Sequence, residues 1–282
     1  MWLRKLEEVF FKGLMIASVS IVLALLVGII LVITWRGASS LNLSMLLQTP
    51  KGGYYLGKEG GIANAIVGSL YLSLGATLLS LLLGLPIAFA LQKEYIGRHL
   101  SNITRLALDI LWGTPSIVYG AFGFVVMVYF GLRASLLGGI IALTLLMLPI
   151  MTRSIEEVIR MIPFELKEIS YSLGATRIET TLKVVFRQAL PGIITGILLA
   201  FGRGIGDAAS VLFTAGYTDY IPRSLSDPVA SLPLAVFFQV ATPIPEVQQR
   251  AYASALILMI IVLFVSILSR WLGRRFSRHI VR

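Results

Sequence analysis

Apolar residues fall along this chain in long unbroken blocks, not in the alternation of a half-buried strand or the one-sided stripe of a surface helix. "LMIASVSIVLALLVGIILVIT" is the first, and five more follow, separated by polar connections that carry Gly or Pro. A helix crosses a bilayer with about 20 mostly apolar residues. The blocks therefore predict spans at 14–34, 65–91, 106–130, 136–151, 193–213 and 251–272, the third interrupted at Gly113 and Pro115 and the fourth short. The expected fold is all-α: a polytopic membrane protein with six transmembrane helices in one domain over 1–282.

Composition agrees with that picture. Of 282 residues 57% are hydrophobic and only 13% charged, and the mean hydropathy is +0.87, which excludes an ordinary soluble domain. The first block is too long for the apolar part of a secretory signal and has no small-residue cleavage site after it, so it reads as retained. With no cysteine, disulfides, thiolate metal sites and thiol nucleophiles are excluded. The net charge of +10 is informative through its distribution. Seventeen Lys and Arg fall at the two termini and in the second-to-third and fourth-to-fifth connections, against six on the other side. The positive-inside rule then places both termini in the cytoplasm. Orientation and contact with anionic lipid account for the basic balance without nucleic acid.

The connections differ in character. Residues 35–64, with "TPKGGYYLGKEGG", read as an irregular exposed loop whose Tyr54 and Tyr55 mark the interface. In the external segment 215–250, "LPLAVFFQV" is too short to span and reads as a re-entrant or interfacial piece. The cytoplasmic connection 152–191 is more structured. A helix opening near Pro163 sets Leu166, Ile169 and Leu173 at i, i+3 and i+7, and Gly174 can end it. A second helix begins at Thr176, where Glu179 can close a capping box. Two short helices displayed between spans suit either a plain connector or a docking element for a partner; tethered at both ends to the bilayer, they do not suit a DNA groove.

Here the chain resembles the permease subunits of ABC importers. Their signature, E-A-A-x-x-x-G followed by I-x-L-P, is matched by "EISYSLG" at 168–174 and "VVFR" at 184–187, with Ile169 and Ser170 for the alanines and Arg187 for the proline. "TGILLAFGRGIGDAASVLFTAG" narrows the resemblance to the PstA-type permease of the phosphate-specific importer, as do "GGIANAIVGSLYL", "GTPSIVYGAFGF" and "SLPLAVFF". Asp207 stands where that family usually has glutamate. The resemblance implies a type I importer permease fold with a cytoplasmic coupling segment over 163–187. It implies transport of inorganic phosphate by alternating access across the inner membrane, and a complex with a second permease (PstC-type), two ATPases (PstB-type) and a phosphate-binding protein (PstS-type). Glu168, Leu173, Gly174 and Ala175 would form the coupling surface to the ATPase. The chain has no G-x-x-x-x-G-K-[ST] loop, so ATP and Mg²⁺ are expected on the partner and no cofactor on this chain. A permease for another oxyanion such as sulfate or molybdate, or a stand-alone ion-coupled transporter or channel, are the alternatives.

Five residues are candidates for the path or its gate. Arg203 and Asp207 lie within the fifth apolar block, where an isolated charge costs roughly 3 kcal/mol, and their spacing of four allows them to pair. The pair either only makes two costly groups tolerable, or opens to let Arg203 meet phosphate or an acidic residue of the partner permease. Gly202, Gly204 and Gly206 thin the helix around it. Arg153, at the cytoplasmic end of the fourth span in "MTRSIEEVIR", is either a second anion contact or an anchor paired with Glu156 or Glu157. In "WGTPSIV" the third span is expected to break at Thr114 and restart at Pro115. That either kinks the bundle or aims a helix N-terminus and the Thr114 and Ser116 hydroxyls at an anion.

Overall fold

The computed structural model describes residues 2–51 and 60–276, and every regular element among them is helical. Tyr54 and Tyr55 lie outside the described residues, as do Arg278 and Arg282. Helix α1 (Trp2–Ser40) takes in the first predicted span and continues to Ser40, so the start of the expected loop at 35–64 is helical; a one-turn helix α2 (Leu43–Leu47), capped by the Asn42 side chain, follows. Along most of its length α1 stands free of the rest, with Val9 to Val32 exposed. It joins the bundle at its C-terminal end, where Arg36 stacks on the Tyr252 ring at 5.1 Å and donates to its hydroxyl at 3.0 Å.

Helix α3 (Ala63–Ala90) packs along two later helices of the bundle, and it is built inside out. Its buried face carries Asn64, Ser69, Ser73, Ala76, Thr77, Ser80 and Ala88, whereas Leu74, Leu78 and Leu82 are exposed. In lipid, leucine gains nothing by turning inward, while small residues let backbones approach and hydroxyls bond to a nearby carbonyl. Thr77 and Ser80 do so, to Ser73 and Thr144.

Two features in the middle of the chain go beyond what the sequence predicts. The expected interruption of residues 106–130 is a sharp one: α4 (Arg98–Gly113) and α5 (Ser116–Tyr129) meet at a 100° bend. Pro115 lacks an N–H and disfavours helix at the residue before it, so the chain turns at Thr114 and Pro115 and helix resumes at Ser116. At about 1.5 Å per residue, the 14 residues of α5 reach about 21 Å, short of a bilayer's apolar core of about 30 Å. The fourth block does not end at 151. Helix α6 (Leu136–Arg160), capped by Ser135, carries it through "RSIEEVIR" for about two and a half further turns, with Arg153 and Arg160 paired to the buried Glu156 and Glu157 exposed.

The connection 152–191 differs from two short helices. Helix α7 (Phe164–Ser172) is short, but α8 (Arg177–Thr180) runs through one π turn (Thr181–Val185) into α9 (Phe186–Ile205), a continuous rod from Arg177 to Ile205. The predicted fifth span, 193–213, is displaced toward the N-terminus: Gly206 caps α9 and residues 209–215 are turns. The short piece at "LPLAVFFQV" is α10 (Leu232–Gln239), buried against α3 and the last helix, α11 (Pro245–Phe276), which extends the span expected at 251–272 at both ends. Among the described residues five helices are long and apolar enough to cross a membrane, and the bent α4–α5 pair makes a sixth if it counts as one span.

Gly68 on α3 faces the segment before α10 so closely that a β-carbon would run into the Ala230 carbonyl oxygen, whereas nothing lies within 4 Å of a β-carbon on Gly13 of α1. Gly68→Ala is expected to lower stability by about 1–3 kcal/mol. Gly13→Ala is expected to leave the thermal midpoint in detergent unchanged or slightly raised.

Candidate functional site

Arg203 occupies the last turn of α9, and Asp207 follows the Gly206 cap instead of continuing the helix. The two still pair, Arg203 Nη1 to Asp207 Oδ1 at 2.9 Å. They do so asymmetrically. The Asp207 side chain is only 5% exposed, and its second oxygen accepts from the Ser210 backbone N–H at 2.8 Å; the Arg203 side chain is 47% exposed. One partner is fixed in the turn and the other is held at one end only. Of the flanking glycines, Gly204 has the clear packing role, since a β-carbon there would fall 2.5 Å from the Met147 sulfur on α6. Gly202 and Gly206 meet nothing closer than 3.8 Å. Behind Asp207 lies a void of about 10 Å³ lined by Ser69, Ser73 and Ser231 among others, room for about one water.

The bend at Thr114 brings α5 over this turn. A β-carbon on Gly120 would lie 2.6 Å from the Ala209 carbonyl oxygen and 2.8 Å from that of Ser210, so only glycine permits the approach. Ser116 begins α5 one turn before Gly120. Thr114 spends its hydroxyl proton on the Ile110 carbonyl at 2.8 Å, and Tyr119 donates to the Leu111 carbonyl. Both bonds close the end of α4; a donor role for Thr114 toward an anion requires the first to break.

Arg153 lies elsewhere, inside α6 and six residues, about 9 Å, beyond Met147 toward the C-terminal end of the helix. It bonds Asp109 of α4 at 2.7 Å and Glu156 at 2.9 Å. Glu156 is the centre of a cluster the sequence reading did not assemble. Its side chain has no exposed area, and it also receives Arg105 Nε at 2.7 Å and Arg160 Nη2 at 3.0 Å. Arg105 donates further to the Leu91 carbonyl at 3.0 Å. The spacing of Arg153, Glu156 and Arg160 marks one helix face and was legible; Arg105, 51 residues away, was not.

The coupling segment is held in shape from within and from one side. Helix α7 ends in a Schellman motif: Ala175 N–H bonds Ser170 O at 3.2 Å and Gly174 N–H bonds Tyr171 O at 2.9 Å, with Gly174 at φ +84°. Thr176 and Glu179 form the expected capping box. The α3–α4 loop clamps the pair: Glu94 bonds Lys167 at 2.8 Å, the Glu94 carbonyl accepts from Arg177 at 2.8 Å, and the Tyr95 hydroxyl meets Thr181 at 2.6 Å. Burial pushes the Glu94 carboxyl up, but the Lys167 hydrogen bond and the charges of Lys167 and Arg177 outweigh it and hold the group below its usual range. That contribution is present above Glu94's unfolded pKa and lost only as pH falls through the lowered one. Away from the clamp, Glu168, Ile169 and Leu173 are exposed, Leu173 by 84%, so the apolar stripe of α7 is turned outward.

Comparison with known proteins follows this geometry. Residues 80–280 match the family described as the binding-protein-dependent transport system inner membrane component. The phosphate transport system permease protein PstA of Yersinia pestis is 36% identical over 211 residues, 75% of this chain and 72% of that protein. A probable ABC transporter permease of Bacillus subtilis, YqgI, is 33% identical over 96% of both chains. An inward-facing form of the MetNI methionine ABC transporter shares the fold with a TM-score of 0.62 at 18% identity, covering 76% of this chain and 95% of that one.

Glu156→Gln leaves three guanidiniums around a neutral amide and is expected to cost about 3 kcal/mol in thermal unfolding of the solubilised protein. Arg160→Gln removes a half-exposed arm of the same cluster, and a loss of about 1 kcal/mol or less is expected.

Proposed function

This chain belongs to the family of binding-protein-dependent transport system inner membrane components, and from that membership we propose that it is the permease subunit of an ATP-driven importer of inorganic phosphate. Members of this family are multi-pass inner-membrane proteins that work with other permease and ATPase subunits. For the cargo, relatives 31–36% identical to this chain are named phosphate transport permeases. The observation that carries the reading is the Arg203–Asp207 pair: a guanidinium at the end of a spanning helix, half open, tied by one bond to a carboxylate that the next turn fixes independently.

That arrangement suits an anion that must be bound and released. Guanidinium is charged at every working pH and presents paired N–H groups that fit two phosphate oxygens. Exchanging the Asp207 contact for phosphate costs one bond and leaves Asp207 with its Ser210 donor. The start of α5 at Ser116, packed over the same turn, is a second place for an oxyanion, with Thr114 beside it. Arg153 is the weaker contact, because two carboxylates already occupy it. The second wall of the path comes from a PstC-type permease, and phosphate arrives from an external binding protein.

The chain has no Walker-type loop, so nucleotide and Mg²⁺ belong on a pair of ATPase subunits. These dock on the outward surface of α7 around Glu168, Leu173, Gly174 and Ala175, with both termini of this chain on the same cytoplasmic side. Closure of the ATPases pushes α7. Through the continuous rod from Arg177 to Ile205 the push reaches Arg203 at its far end, about 40 Å away at helical rise.

Two measurements test the reading. In assembled transporter, Arg203→Lys and Asp207→Asn are expected to lower phosphate uptake at least about tenfold, the scale of one charge-assisted contact. Undiminished uptake in both removes the pair from the path, and equal competition by sulfate overturns the cargo. A cysteine placed by Leu173→Cys is expected to crosslink to an ATPase subunit; no crosslink in an intact complex argues against docking there.

A further inference from the structure

A groove of about 1270 Å³ opens on the cytoplasmic face, bounded by the α3–α4 loop, the first two turns of α4, the end of α6 and the start of α7. Five basic side chains line it: Lys93, Arg98, Arg105, Arg160 and Lys167. Against them stands one lining carboxylate among the described residues, Glu94, already bound to Lys167 at 2.8 Å. The helical period explains the wall on α4, since Arg98, Ser101, Asn102 and Arg105 share one face while Leu100, Ile103, Leu106 and Ile110 share the opposite one.

This is more than a solvated basic surface. The buried Glu156 carboxylate grips Arg105 and Arg160 from behind, so both guanidiniums are oriented before any ligand arrives, and Arg160 remains 48% exposed. Arg98 is the first residue of α4, where a cation opposes the helix dipole, so its charge does not stabilise that helix. The floor is apolar, with Leu91, Ile159, Ile162 and Phe164, which strengthens charge-assisted bonds above it. Several N–H donors converging from separate elements onto a cavity suit a small, highly charged tetrahedral anion.

We propose that this groove is a second phosphate-group site, on the cytoplasmic side and separate from Arg203, whose occupancy restrains the coupling segment. A phosphate bridging Arg98 of α4, Arg160 of α6 and Lys167 of α7 ties the coupling helix to the bundle and resists the motion that ATP closure demands. Phosphate delivered to the cytoplasm thereby slows its own import. Both the identity of the ligand and this regulation rest on the reading of the chain as part of a phosphate importer. The same phosphate chemistry is offered by free inorganic phosphate and by the headgroup of an anionic lipid.

The test uses the assembled transporter with Lys93→Gln and Arg98→Gln combined, because both side chains are exposed and neither makes a hydrogen bond or ion pair among the described residues. Radiolabelled inorganic phosphate is the probe, in phosphatidylcholine vesicles with and without phosphatidylglycerol, with phosphate on the cytoplasmic face varied. Uptake into a phosphate-free compartment is expected to be the same for variant and parent. Cytoplasmic phosphate is expected to slow the parent, with the variant needing about tenfold more for equal inhibition. Equilibrium binding is expected to show one class of site weakened in the variant by the same factor. If phosphatidylglycerol abolishes the difference, the headgroup is the occupant. Equal sensitivity and equal binding in parent and variant overturn the groove site, as does phosphate binding that appears only once the ATPase is removed. Absence of uptake by the parent without cytoplasmic phosphate overturns the importer reading instead, and the binding measurement then decides the groove alone.

Discussion

Glu156 has no exposed atom, and it receives a bond from each of three arginines. A carboxylate in that position is tolerable only when paired, and so are guanidiniums drawn in around it. The requirement determines where α4 lies. That helix buries little of its own apolar surface, only Ser101 and Leu108 among its residues, and turns through 100° from α5. What fastens it to α6 is charge: Arg105 to Glu156 and Asp109 to Arg153. Arg105 reaches the Leu91 carbonyl as well, so the same contact anchors the loop that grips the coupling segment through Glu94 and Tyr95. From Glu156 outward, this half of the bundle is one linked unit.

The other half is held by a different force. With lipid on the outside, burial of leucine drives nothing, and cohesion comes from close approach. Hence α3 turns serines, threonines and alanines inward, with Leu72 beside them, and Leu74, Leu78 and Leu82 outward. Gly120 lets α5 lie on the turn after Asp207, and Gly204 admits Met147. Where backbones approach this closely, displacing one element displaces its neighbours, a property that transmission across a membrane needs.

The sequence made the spans legible because a bilayer imposes a length and a composition that few other constraints mimic. It made the capping box at Thr176 and the helix end at Gly174 legible because both are local. It misplaced elements wherever a charge was read as a boundary or an apolar run as helix. Helix α6 passes through "RSIEEVIR" with Glu156 buried against Arg153, Arg160 and, from another helix, Arg105, while Glu157 faces out. Conversely, "DAASVLF" is apolar enough to continue α9, but Gly206 ends the helix and Asp207 uses its carboxylate to hold the Ser210 N–H. The bend at Pro115 was readable; its 100° angle, set by what α4 and α5 each pack against, was not.

The two charge sites also differ in a way that assigns them different work. Around Glu156 both carboxylate oxygens are occupied and the acid is fully enclosed, so removing any arm leaves a buried charge worse off. Such a cluster favours one arrangement. At Asp207 the carboxylate would keep a backbone donor after Arg203 departs, and Arg203 is half in the open already. Opening that pair exchanges one charge-assisted bond for another and leaves Asp207 Oδ2 on the Ser210 N–H, with Oδ1 beside a void that has room for about one water. The closed cluster on Glu156 joins α4 to α6 beside the segment that carries α7, and the looser pair lies at the far end of the rod that leads away from it.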